Sequence, residues 1–159
     1  MRELTKLEAV LWSIALPGFA QLLARSYIKG LLFVILEFLI NVQSDFNLAI
    51  MHSFLGETRL AMETINVQWL MFYPCLYMFA MWDAYKIALK KEEPYIYLPF
   101  AFSAYLVTIG LMYSPKLTIF GFYLGPIFSG ILFVLPGVLI GQLIRTILLK
   151  RNKLDYEES

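Results

Sequence analysis

One histidine, His52, and one cysteine, Cys75, are all that this 159-residue chain holds of the two side chains most used for metal binding and nucleophilic chemistry. A lone cysteine closes no internal disulfide, and together with one histidine it falls short of a tetrahedral zinc site. The sequence contains no G-x-S-x-G, no H-E-x-x-H and no glycine loop of the phosphate-cradling kind. Charge is scarce as well: charged residues make up 16%, where soluble domains carry about 25%. The net charge is +1, and the basic residues are scattered beside apolar segments instead of clustering on one face, which argues against a nucleic-acid partner. Internal repeats, low-complexity linkers and a second domain are also missing, so residues 1–159 read as a single integral membrane domain with no metal and no cofactor.

What is abundant is apolar surface. Hydrophobic residues reach 60%, against roughly 45 to 50% in soluble domains. The central stretch from Gln68 to Tyr85, QWLMFYPCLYMFAMWDAY, carries no charge between Trp69 and Trp82. As one helix it would be about 27 Å long, close to a bilayer's hydrocarbon thickness. Trp69, Phe72 and Tyr73 crowd one end and Phe79, Trp82 and Tyr85 the other, a pattern suited to aromatic belts. This stretch is expected to be a complete span, with Cys75 a small packing residue inside it.

Before it lie two apolar segments. Ala9 to Ala24 follows a charged start, as a secretory signal does, but Leu22 stands where a cleavage site needs a small residue, so the segment is expected to be retained. Its sixteen residues reach only about 24 Å, and Pro17-Gly18 interrupts them, giving either a short span or a bent, partly inserted segment. Ser13, Pro17 and Gln21, at i, i+4 and i+8, form a stripe that should face protein, because lipid cannot satisfy the glutamine. Gly30 to Val42 is the second segment, interrupted by Glu37; Asn41 and Ser44 share its helical face. Asp45 to Asn66 then reads as an amphipathic surface helix, with Asp45 as its cap and Gly56 as its stop, or as an ordinary folded loop.

After the central stretch, Leu98 to Tyr113 is the next expected span, with Pro99 at its start and Ala101, Ala104 and Thr108 as a small-residue face. Leu117 to Leu149 is apolar throughout and, at about 50 Å, too long for one straight span. Gly125-Pro126 and Pro136-Gly137 are its natural breaks, and the last span is placed at Ile127 to Leu149. Gly121 with Gly125, and Gly137 with Gly141, have the spacing that lets helix backbones approach, within this chain or in a homodimer. Residues 150–159 form a polar, frayed tail.

Charge sets the orientation. If the first segment spans, there are five spans, and the basic residues split nine to four across the membrane; if it dips in and returns, there are four, and the split is eleven to two. The second arrangement is preferred. In both, the tail is cytoplasmic and the 45–66 segment is outside.

Pro17-Gly18-Phe19-Ala20-Gln21, followed by Tyr27-Ile28-Lys29-Gly30, resembles bacterial membrane proteins related to the TM-two domain, whose pattern is Pro-Gly-x-Gly-Gln-x-Tyr-Asn-Gly-Gln-Tyr-x-x-Gly. Trp82-Asp83-Ala84-Tyr85 is similar to the family's closing Trp-Asp-Ala-Tyr. The resemblance covers roughly residues 9–86, and departs at Ala20, Leu23, Ala24, Arg25 and Ser26. It implies a small multispan protein of the bacterial plasma membrane with no established catalytic residues.

The intramembrane polar residues are Glu37, Asn41, Gln21 and Asp83. Glu37 is expected to be a clamp to Gln21, Ser13 or Arg25, and Asp83 a helix-end acid near Lys86. His52, with Asp45 and Glu57 nearby, makes no metal site. The expected function is non-enzymatic: a protein that acts through protein or lipid contacts, as a regulator, assembly factor or immunity-type protein does, with the bilayer, another membrane protein or its own copies as partner. A small permease or proton-coupled carrier using Glu37 is the competing class, and a membrane enzyme the third.

Overall fold

The computed structural model describes residues 4–89 and 91–157, with side chains as far as Asn152. In chain order it forms α1 (Lys6–Ala15), α2 (Phe19–Leu23), α3 (Tyr27–Ser44), α4 (Phe46–Phe54), α5 (Thr58–Thr64), α6 (Val67–Leu70), α7 (Tyr73–Ile87) and α8 (Leu98–Tyr113). A two-residue antiparallel ladder, β1 (Thr118–Ile119) with β2 (Phe122–Tyr123), precedes α9 (Gly125–Glu157). The fold is all-α; the ladder only closes the turn into the last helix.

Four helices alternate in direction. The start of α3 meets the end of α7 through Lys29 and Asp83, their middles meet through Phe33 and Phe79, and Glu37 meets Tyr73 at the far end. Tyr85 packs on Phe100, joining the end of α7 to the start of α8. Between α8 and α9 the backbones nearly touch: a Cβ on Gly141 would lie 2.5 Å from the Leu98 carbonyl oxygen, and one on Gly137 2.4 Å from the Ser103 Cα. A Cβ on Gly110, nearer the other end of α8, would meet the Ser129 carbonyl oxygen at 3.0 Å. The packing face of α8 is thus Pro99, Ser103 and Gly110. Ala101, expected on that face, is exposed instead, because the face is set by where α9 crosses.

The first segment turns back on itself. A capping box between Thr5 and Glu8 starts α1. Gly18, at φ 98, supplies the left-handed turn into α2. The Tyr77 hydroxyl, midway along α7, donates to the Ile14 carbonyl at the tip, while Lys6 and Gln21 both lie beside residues at the end of α7 or just beyond it. The α1–α2 hairpin therefore enters and leaves at the same end of the bundle. A Cβ on Gly18 would stand 2.4 Å from the Gly30 carbonyl oxygen, so Pro17-Gly18 is seated directly on α3.

At the opposite end, α4 and α5 pack together over α8 and α9, burying Ala49, Ala61, Ile65, Leu70, Val107, Leu111 and Ile127 in one cluster. The segment is two helices, not one. Asp45 precedes α4 in a left-handed conformation (φ 55) but makes no side-chain cap bond, contrary to the capping role expected of it.

Four further expectations change. The stretch Gln68 to Tyr85 is not one helix: Asn66 caps α6, the chain turns at Met71-Phe72, and Pro74 sits in the first turn of α7, which has fifteen residues. At about 22 Å this helix is shorter than the hydrocarbon core. Cys75 faces outward. Pro136-Gly137 does not interrupt α9, which is continuous past Leu149 to Glu157, so the backbone of the tail is helical as far as it is described; Glu158 and Ser159 lie outside the described residues. Gly121 lies in the β-turn with nothing near its Cβ position, so it cannot share a helix-packing face with Gly125, which stands at φ 65 against the Thr58 carbonyl oxygen.

Among the described residues, two helices are long and apolar enough to cross a membrane, Tyr27–Ser44 and Gly125–Asn152; Leu98–Tyr113 is apolar but shorter.

Candidate functional site: two interhelical polar clusters

The first cluster joins α2, α3 and α7. Gln21 is fully buried where Ala20, beside it, packs with Ala84, so that α2 lies close on α7. Its Nε2 donates to the Ala80 carbonyl at 2.8 Å and to Asp83 Oδ2 at 3.2 Å. Lys29 Nζ donates to Asp83 Oδ1 at 2.7 Å. The Asp83 side chain is 10% exposed and that of Lys29 56%, so the lysine carries its charge from the rim to an acid held within. Each Asp83 oxygen thus has a different partner, and the three elements are tied at one point. Ser13 and Pro17, of the same stripe, are fully buried with Gln21; among the described residues the Ser13 hydroxyl and Gln21 Oε1 have no hydrogen-bond partner.

The second cluster stands toward the other end of α3 and α7. Glu37 Oε1 accepts from Asn41 Nδ2 at 3.2 Å and from the Tyr73 hydroxyl at 3.4 Å. Asn41 also donates to Asn47 Oδ1 at 3.2 Å, reaching α4, and Tyr73 stacks on Tyr77 and packs against Phe46. Ser44 leaves this stripe: its hydroxyl turns back to the Ile40 carbonyl at 2.6 Å.

Two partner assignments differ from the sequence expectation. Glu37 bonds neither Gln21, Ser13 nor Arg25, because the hairpin returns near the start of α3 and leaves Glu37 to face α7. Asp83 pairs with Lys29; Lys86 instead lies 5.7 Å over the Trp82 ring. The sequence placed Lys29 only in the Tyr27-Ile28-Lys29-Gly30 motif and Tyr73 only in an aromatic belt, and helical spacing alone names a face without naming its partner.

A third junction, of charges, closes the end of the bundle. Glu93, between α7 and α8, accepts from Lys6 at 2.5 Å and from Arg145 Nη2 at 2.8 Å, and Arg145 Nε also reaches the Pro94 carbonyl. The hydrogen bonds from Lys6 and then Arg145 hold the Glu93 carboxyl below its ordinary value, and the bond to Glu93 raises Lys6. His52 pairs with Glu57 at 2.8 Å; among the described residues no cluster of ligands fits a metal ion.

No protein-family model matches the chain, and neither a curated protein nor a solved structure matches it.

Proposed function

We propose that this chain is a multi-pass integral protein of a bacterial plasma membrane that works through protein or lipid contacts. In this reading α3, α7, α8 and α9 cross the bilayer, α1–α2 enters from the cytoplasmic side and returns, and both described ends are cytoplasmic. One observation carries it: the molecule is built inside out. Apart from Leu70, Gln21, Pro17 and Pro126, its fully buried positions are held by small residues such as Ala9, Ala20, Ala49, Ala61, Ala80, Ala84, Ser13, Ser44, Ser103 and Ser129, whereas large apolar side chains such as Ile28, Phe38, Leu135 and Leu139 point outward. Water would penalise that surface, and lipid accepts it while small residues let the helices close up.

The polar residues support contact, not turnover. Gln21 engages Asp83 across helices, and Glu37 and Asn41, paired within α3, reach α7 through Tyr73 and α4 through Asn47, as groups that must be satisfied away from water do. The close seat of Gly18 on Gly30 gives a physical reason for the spacing shared with TM-two-related proteins and supports that resemblance. Purification of the full chain in mild detergent tests the reading: a stoichiometric protein or tightly held lipid should accompany it. Solute movement by the purified chain alone in liposomes would favour the carrier built on Glu37 instead.

A further inference from the structure

The end of the bundle closed by Glu93 also holds an open cavity of about 1310 Å³ between the α1–α2 hairpin and the end of α7. Its walls combine apolar side chains, including Trp12, Leu23 and Leu89, with Lys6, Arg25 and Lys91. The two acids on its rim are occupied: Glu8 accepts from Thr5 in the capping box, and Glu93 is bonded by Lys6 and Arg145. Arg25 donates its backbone N–H to the Leu22 carbonyl, but among the described residues neither its side chain nor that of Lys91 makes a hydrogen bond or ion pair. Arg25 is moreover held in a left-handed conformation (φ 62) at the exit of α2, which fixes the root of its side chain beside the opening.

Two cations without a side-chain partner among the described residues, set on an apolar-walled recess, ask for an anion that carries hydrocarbon. The exposed face of α1, Leu7, Leu11 and Ile14, supplies a place for that hydrocarbon. The helix is ten residues long, about 15 Å, so the hairpin reaches only half the hydrocarbon depth, the thickness of one leaflet. We infer that this cavity binds the headgroup of an anionic phospholipid, the phosphodiester between Arg25 and Lys91 and an acyl chain along the outer face of α1. The inference rests on the membrane reading above.

The test is titration of the detergent-solubilised full chain with dioleoylphosphatidylglycerol, dioleoylphosphatidylcholine and glycerol 3-phosphate, with bound species counted by native mass spectrometry. Phosphatidylglycerol should bind most tightly, and Arg25→Gln and Lys91→Gln should each weaken it about fivefold, the usual worth of one basic side chain near anionic lipid. Lys116→Gln, which makes the same change of charge at the other end of the bundle, should leave binding unchanged. Because Lys91 lies in a loop, its variant keeps the test alive even where Arg25→Gln misfolds. Equal binding of the two lipids, equal loss with Lys116→Gln, or full binding of glycerol 3-phosphate would each overturn the site. The underlying reading is tested separately: release of the chain from membranes by alkaline carbonate refutes the membrane assignment, whereas a retained chain without lipid preference refutes the headgroup site alone.

Discussion

Lys29 reaches from the first turns of α3 to Asp83 on α7, 2.7 Å between Nζ and Oδ1, while Gln21 holds the other oxygen of the same carboxylate. The pair is asymmetric: the lysine stem is mostly in the open and the acid is not. Removing the acid returns an exposed ammonium to water and leaves the Gln21 amide its bond to the Ala80 carbonyl; removing the lysine leaves a mostly buried carboxylate with the Gln21 amide alone.

Lys29→Ala should therefore destabilise the protein by about 1 to 3 kcal/mol, and Asp83→Ala by about 1 kcal/mol. Thermal melts in detergent check the order of the two. A larger loss with Asp83→Ala would mean that the Gln21 bond from α2, and not the ion pair from α3, carries most of what Asp83 contributes.

Glu37 is bonded through an oxygen that glutamine also possesses. Glu37→Gln should keep the bonds from Asn41 and Tyr73 and melt near the parent, while Glu37→Leu leaves the Tyr73 hydroxyl unpaired and costs about 1 to 2 kcal/mol. In liposomes, a pH gradient dissipated by the parent and not by Glu37→Gln would identify a proton carrier.

Gly137 and Gly130 share α9 but not its surroundings. A Cβ at Gly137 collides with the Ser103 backbone, whereas one at Gly130 finds only side-chain atoms at 3.7 Å. Gly137→Ala should cost about 1 to 3 kcal/mol by forcing α8 and α9 apart, and Gly130→Ala should be neutral or stabilising by up to about 1 kcal/mol. Paired melting curves decide it.

How much of this was legible in the sequence depends on the kind of interaction. Apolar runs and their periods located the long helices near Gly30 and Ile127, and Pro17-Gly18 marked the turn that sends α2 back. The break at Met71-Phe72 was hidden, because hydropathy is blind to a turn made of apolar residues; Pro74, a residue at home in a helix's first turn, was the signal that could have shown it. Gly121 and Gly125 have helix-packing spacing, but Gly121 sits in the β-turn and Gly125 opens α9 beyond β2, and a spacing of four means a shared face only inside a helix. The partners of Glu37 and Asp83 depend on which helix crosses where, and no single segment encodes that.

Glu93 gives a pH dependence. Its carboxyl is held below its ordinary value, so its contribution is present above the unfolded value of 4.5 and lost as pH falls through the lower folded one. Lys6 is raised, so its contribution is present below 10.5 and lost as pH climbs through the higher folded value. Hydrogen exchange of residues 6–23 should speed up in acid below pH 4.5 more than exchange in the middle of α9 does, and Glu93→Gln should flatten that response.

The account depends on a first segment that enters and returns, leaving four crossings. Replacing Cys75 with alanine and placing single cysteines at Thr5, His52 and Asn152 allows each to be labelled from outside intact bacteria with a membrane-impermeant maleimide. His52→Cys should be modified, and Thr5→Cys and Asn152→Cys protected until the cells are opened; labelling of Thr5→Cys together with His52→Cys, while Asn152→Cys stays protected, would show a full first span and contradict the re-entrant hairpin.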